Sequence, residues 1–207
     1  AGKISIDVRA LDVDLLSFTV HKMYGPKGIG ALYIRRRRPP LALAPVLDGG
    51  GHEHGLRSGT LNVPGVVGFG VAAKICLEEM ESEMDRVRTL RDRLLSGLIS
   101  RLSGVTVNGS ISDRLPHNLN VSFDCLEGES LLVGLDDVAI SSGAACTSAN
   151  PETSHVLRAI GVLDALARAS IRFGLERSTT EEEVDYVVKK LSSLVTRLRE
   201  LSPNLTL

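Results

Sequence analysis

Short runs rich in β-branched and apolar residues, alternating with segments of helical period, predict an α/β or α+β fold. Strand-like runs recur at residues 11–19, 31–34, 105–107, 118–123, 138–141 and 170–175, with helical stretches between most of them. One helix-period stretch, from about residue 64 to residue 102, is far longer than the others and reads as the hinge between two parts. The 207 residues, 43% hydrophobic and 24% charged, have the make-up of a globular chain with a core of its own.

The first strand, Leu11 to Thr19, has no clean alternation and reads as buried, running into a loop at His21. Gly25-Pro26-Lys27-Gly28-Ile29-Gly30 is turn chemistry, and Ala31 to Ile34 is a second strand. Arg35 to Arg38 followed by Pro39-Pro40 reads as a solvated strand end closed by prolines, because four charges fall short of a basic motif of ~5–8 residues. After Gly49-Gly50-Gly51 the long helix carries Phe69, Ala73, Cys76, Met80, Met84, Val87, Leu90, Leu94 and Leu98 in steps of three and four. Strands follow at Val105–Val107 and Asn118–Phe123, where Leu119, Val121, Phe123 and Cys125 share a face. A helix over 129–135 leads to a strand at 138–141, and 142–150 is small, polar and irregular. Helical segments near 154–160 and 163–169 precede the strand at 170–175. The last helix opens with the capping box Thr180-x-x-Glu183 and carries Val184, Val187, Val188, Leu191, Val195 and Leu198.

Composition removes several function classes. With 24 Lys+Arg against 25 Asp+Glu the net charge is −1, so no chain-wide nucleic-acid surface is expected. Aromatics at 3% and the absence of Trp leave no stacking platform for single strands. No apolar stretch approaches the ~20 residues that cross a bilayer, and Ala1 to Asp7 has no signal-peptide pattern. Cys76, Cys125 and Cys146 make no paired zinc-ligand spacing, and a sparse, odd set suits a reducing compartment. Cys76 and Cys125 lie on apolar stripes and read as core or near-core.

Two residues are left without a packing explanation. Lys22 follows directly on a buried strand, after a hydroxyl and an imidazole, where an amine can form a Schiff base with a carbonyl; the plainer reading is a surface lysine. Cys146 sits in Ser141-Ser142-Gly143-Ala144-Ala145-Cys146-Thr147-Ser148, among residues too small to build a core, as an exposed nucleophilic thiol would; the plainer reading is an incidental loop cysteine. Neither glycine cluster has the spacing of a nucleotide-binding loop.

Four motifs in order change the weight of these residues: Thr19-Val20-His21-Lys22-Met23-Tyr24-Gly25-Pro26-Lys27-Gly28; Gly49-Gly50-Gly51-His52-Glu53 with Leu56-Arg57-Ser58-Gly59-Thr60; the stretch around Cys146; and Ser170-Ile171-Arg172-Phe173. In this arrangement the sequence resembles the cysteine desulfurases of the IscS/NifS type, pyridoxal-phosphate (PLP) enzymes of the class-V aminotransferase family with fold type I. The likeness runs essentially the whole chain, through Thr179 to Glu183 and on to Arg197 to Pro203. It implies the remainder of a large PLP-binding domain over 1–63, a connecting helix over 64–102 and a C-terminal small α+β domain over 103–207.

The resemblance also implies roles. Lys22 would hold PLP and move the Cα proton. Thr19, Val20 and His21 would line the cofactor, and Thr60 would reach the phosphate of the partner subunit's cofactor in a homodimer. Arg172 would bind the carboxylate of L-cysteine, a task that suits a guanidinium fork. Cys146 would take the sulfur as a persulfide, leaving L-alanine, and pass it to an Fe–S scaffold protein or other sulfur-carrier acceptors. The stretch from Cys146 to His155 has the length of the Fe–S-assembly branch, in which the same cysteine would contact a transient two-iron, two-sulfur cluster. A cytoplasmic setting is implied, or an organelle matrix in a eukaryote.

The sequence departs from the family pattern at Thr19-Val20, where Ser and a small residue are usual, at His52 in place of Gln, and at Glu176 in place of Gly. The resemblance further implies a comparably long N-terminal part before Ala1, supplying the groups that hold the PLP ring, so this chain alone is expected to be incomplete as an enzyme. Two other readings stand beside it: a non-catalytic fragment or split subunit that docks a scaffold, and a selenocysteine lyase-like PLP enzyme, which would not need Cys146.

Overall fold

The computed structural model describes residues 1–141 and 153–201. The chain divides into two compact units, Ala1–Ser82 and Glu83–Leu207, and the division falls inside the long helix.

In the first unit, strands β1 (Leu15–Thr19) and β2 (Gly30–Ile34) pair antiparallel, from Leu15 opposite Ile34 to Thr19 opposite Gly30. The strand expected from Leu11 begins four residues later. Asp7 accepts from the backbone N–H groups of Arg9 and Ala10, the Leu11 N–H donates to Asp7 O, and Asp12 has φ 50°. This side-chain-capped turn takes the backbone groups that a longer strand would need. The arginine tetrad is partly neutralised locally: Arg35 meets Asp12 at 2.6 Å and Arg37 meets Asp14 at 3.0 Å. The Arg35 hydrogen bond and charge hold the Asp12 carboxyl below the usual carboxylate range.

Helix α1 spans Val63–Ile99. Asn62 Oδ1 accepts the Gly65 N–H at 3.1 Å, the side-chain cap of a helix start, and Pro64 lies in the first turn where its missing N–H has no intrahelical partner. Of the expected stripe, Cys76 in the first unit and Met84, Val87, Leu90, Leu94 and Leu98 in the second are buried, while Phe69, Ala73 and Met80 are half-buried.

The second unit holds a three-stranded antiparallel sheet in the order β3 (Val105–Val107), β4 (Asn118–Phe123), β5 (Ser170–Gly174). Leu119, Val121 and Phe123 of β4 and Ile171 and Phe173 of β5 are buried, as are Met84, Val87, Leu90, Leu94 and Leu98 of α1 in this unit. Helices α2 (Gly128–Gly134), α3 (His155–Ala159) and α4 (Asp164–Arg168) lie between β4 and β5, and α5 (Glu181–Leu201) follows β5. Helix α5 buries Val184, Val188, Leu191 and Val195 at helical period.

Two further expectations need correction. No strand forms at 138–141; only Ser141 pairs, as a single bridge to Arg172. The preceding residues are drawn to α5 instead: Lys190 donates to Asp136 at 3.1 Å, and both Lys190 and Tyr186 donate to Asp137. These bonds hold the Asp137 carboxyl below its ordinary range. Cys125 does not continue the β4 face; it lies past the strand end with φ 55°, half-buried, while Arg199 donates to the Asp124 carbonyl and carboxylate beside it.

The capping box at α5 is present in both directions. The Thr180 N–H donates to Glu183 Oε2 at 2.9 Å, and the Glu183 N–H donates to Thr180 Oγ1 at 3.2 Å. Thr180→Ala is expected to destabilise the second unit by about 1 kcal/mol, read as a lower denaturant midpoint with an unchanged slope.

Candidate active site

The end of β1 and the tight turn after it place three of the expected residues together. Val20–Met23 is a single turn of 3-10 helix, closed by the Gly25 N–H donating to Val20 O at 3.1 Å and entered by the Val20 N–H donating to Ile29 O at 3.3 Å. At three residues per turn, positions i and i+3 lie on one side. Val20 and Met23 therefore enter the apolar cluster with Ala72 and Cys76, flanked by Phe18, Ile29, Phe69 and Ala73. Phe18 and Phe69 meet edge to face at 5.7 Å. Gly25 is required here, since a Cβ would stand 2.5 Å from Val20 Cγ2.

Burial of Val20 and Met23 leaves His21 and Lys22 on the exposed side of the turn. Thr19 Oγ1 donates to Ile29 O at 3.3 Å and lies 2.8 Å from His21 Nδ1. While its proton is on the carbonyl the hydroxyl can only accept, so its pairing with Nδ1 depends on the His21 tautomer. The result is an exposed imidazole and an exposed primary amine side by side, with a half-buried hydroxyl next to the imidazole. The side chain of Val20 belongs to the packing beneath them. Tyr24, absent from the sequence-based set, closes the turn with φ 62°, and Lys3 donates to its hydroxyl at 2.5 Å.

Thr60 is exposed on a second loop. Its motif is held at Ser58, which is buried and whose N–H donates to Leu47 O at 3.2 Å. The Gly59 N–H donates to His52 Nδ1 at 3.3 Å, with Gly59 at φ 115°. This gives the departure at His52 a physical sense: its ring nitrogen accepts an N–H, as a Gln side-chain oxygen also can.

Arg172 lies in the second unit, mid-way along β5, opposite Asn120 and half-buried. Ile171 and Phe173 face the core, so Arg172 is on the opposite face of the strand. That face of the sheet is polar: Asn108 Nδ2 donates to Asn120 Oδ1 at 2.6 Å and to Ser122 Oγ at 2.8 Å. Nearby, Arg114 donates to Asn108 O at 2.6 Å, and burial and the neighbouring Arg91 charge push its guanidinium below its ordinary range. The Arg172 N–H donates to Ser141 O at 2.7 Å. Sequence reading missed this polar ladder, although Asn118, Asn120 and Ser122 alternating with buried residues are its signal. Cys146 lies outside the described residues. Among the described residues no group of three or more His, Cys, Asp or Glu is placed to hold a metal, and no helix is long and apolar enough to cross a membrane.

A family model described as aminotransferase class-V matches residues 1–187. The chain belongs to the class-V aminotransferase family. Within it, the chain is 57% identical over 202 residues to the cysteine desulfurase IscS of Anaeromyxobacter dehalogenans and 55% identical over 202 residues to that of Actinobacillus succinogenes, covering 98% of this chain and 50% of each relative. Among solved structures it is similar to a NifS-like protein, with a TM-score of 0.82 and 39% identity over 95% of this chain and 50% of that one. It is also similar to DndA from Streptomyces lividans, with a TM-score of 0.65 and 36% identity over 80% of this chain and 47% of that one. The mixed α/β architecture is that of fold type I, as expected. This class-V chain spans about half the length of the curated relatives it matches.

Proposed function

We propose that the chain supplies the C-terminal share of a PLP-dependent cysteine desulfurase, with Lys22 and Cys146 as its catalytic residues. The observation that carries the reading is the outward presentation of His21 and Lys22 by a turn whose other two side chains are buried, with Thr19 Oγ1 beside the imidazole. The donor set fits PLP: an exposed amine for its carbonyl, and the His21 imidazole and Thr60 hydroxyl for its phosphate, with Thr19 holding the imidazole. In this reading residues 1–63 belong to the large domain, 64–102 to the connecting helix and 103–207 to the small domain.

When bound, PLP supplies an electron sink for bond cleavage at the substrate. The Lys22 amine anchors the cofactor and carries the proton taken from the substrate Cα. Arg172 holds the substrate carboxylate through its guanidinium fork. The Cys146 thiolate attacks the sulfur of L-cysteine: an S–S bond forms, the C–S bond breaks, and its electron pair stays with carbon, which is protonated. L-cysteine and a protein thiol thus give L-alanine and a protein persulfide, with no outside oxidant. Partners in this reading are a second copy of the chain, with Thr60 serving the neighbouring site, and an Fe–S scaffold or sulfur-carrier acceptor. The 57% identity to a protein named as a desulfurase supports this reaction over the other chemistries of the family.

The test is persulfide mapping on the full-length, PLP-loaded protein. After incubation with L-cysteine and alkylation, mass spectrometry is expected to find the extra sulfur on Cys146. Cys146→Ala is expected to lower alanine production by about a hundredfold or more. Unchanged turnover in that variant, or a persulfide confined to another cysteine, would sink the reading.

A further inference from the structure

We propose that Glu83 and Arg86 of α1 are positioning residues for the substrate carboxylate, acting through the turn after β5 on Arg172. This rests on the reading of Arg172 as the carboxylate-binding group. The turn over residues 175–180 joins β5 to α5 and is fixed from several directions. Its own bonds are reciprocal: the Glu176 N–H donates to Thr179 Oγ1 at 3.0 Å, and the Thr179 N–H donates to Glu176 O at 3.0 Å. On the strand side, the Leu175 N–H donates to His117 O at 2.9 Å.

Helix α1 then grips this turn twice. Arg86 donates to Thr179 O at 2.8 Å and to Arg177 O at 2.6 Å, with a longer contact of 3.5 Å to Glu176 O. One helical turn earlier, Glu83 accepts from Arg177 Nη2 at 2.5 Å, with the carboxylate side chain only 10% exposed. A guanidinium spanning three carbonyls and a shielded ion pair exceed what a solvated helix–strand connection needs.

The position of the grip decides what it does. The ladder of β5 with β4 runs up to Gly174, so the turn that follows fixes where that ladder ends, two residues beyond Arg172. Gly174, the residue before the turn, pairs with Asn118, and Arg172 pairs with Asn120 in the same ladder. A shift of the turn therefore changes where β5 ends against β4 and how the Arg172 fork is aimed. Guanidinium–carboxylate recognition is directional, so a small misaiming weakens binding while the residues that break bonds stay intact.

The test uses the full-length, PLP-loaded protein and two probes, L-alanine, which carries the carboxylate, and cysteamine, which lacks it. Arg86→Ala is expected to raise the KM for L-cysteine and the dissociation constant for L-alanine roughly fivefold to tenfold, with kcat nearly unchanged and cysteamine binding unmoved. The near-isosteric Glu83→Gln, which spares the fold, is expected to give a smaller rise of the same kind, and Arg86→Lys to restore part of the loss. Equal weakening for both probes would show general damage and overturn the proposal. So would unchanged L-alanine binding in Arg86→Ala and Glu83→Gln while Arg172→Lys weakens it, an outcome that leaves the reading of Arg172 standing. Unchanged L-alanine binding in Arg172→Lys would instead overturn the reading of Arg172, and this proposal with it.

Discussion

Replacement of Lys22 by alanine in the full-length protein is expected to abolish covalent capture of PLP and to lower L-cysteine turnover by about a thousandfold or more, with the fold unchanged. The two halves of this expectation come from the same turn. Its geometry is set by Val20 and Met23, which are 0% and 7% exposed, and by the backbone bonds at Val20 and Gly25. The Lys22 side chain takes no part in that packing, so its removal belongs with surface substitutions, within about 0.5 kcal/mol. The chemistry has no such redundancy, because one amine both anchors the cofactor and moves the proton. Borohydride reduction followed by peptide mass mapping is expected to place the cofactor adduct on Lys22 in the parent protein and nowhere in the variant. An adduct on Lys27 or Lys3, or turnover within tenfold of the parent, would remove Lys22 from its role. Val20→Ala is the converse case: it leaves the amine and removes a buried side chain beneath it, so stability falls while the adduct persists.

How much of this was legible in the sequence follows from the range of the interactions. The helical stripes of α1 and α5, the capping box, and strands β3 and β4 depend on residues a few positions apart, and all are where periodicity and capping chemistry put them. The segments misjudged as strand, Leu11 to Asp14 and Val138 to Ser141, are apolar enough for the role. They are diverted by side chains: Asp7 in the first case, and Lys190 and Tyr186 of α5 in the second. The Lys22 site was legible as a motif, but not the reason for its exposure, which needs the i to i+3 geometry of a 3-10 turn against α1. The grip of Arg86 on the turn after β5 joins residues separated by 91 positions, and nothing in the local sequence of either element announces it.

The same long-range closeness makes Gly128→Ala the most disruptive small substitution in the second unit. Gly128 opens α2, and a Cβ there would stand 1.8 Å from Arg168 O and 2.8 Å from Arg168 C, both backbone atoms. No rotamer change relieves that contact, so either α2 or the junction of α4 with β5 must move by roughly an ångström. Movement of α2 withdraws Leu131 and strains the helix end at Leu135, which are 0% and 2% exposed. Movement of the junction instead displaces Ser170, whose hydroxyl donates to Ala167 O at 2.8 Å, and with it the start of the strand that carries Arg172. The expected loss is about 3 kcal/mol, seen in denaturant unfolding of the full-length protein, together with weaker binding of L-alanine if the junction yields rather than the helix. Gly174→Ala is the matched control, because nothing lies within 4 Å of its added Cβ, and its stability is expected to stay within about 0.5 kcal/mol of the parent. Equal stability of the two variants would show that α2 and the α4–β5 junction do not approach as closely as the backbone contact requires.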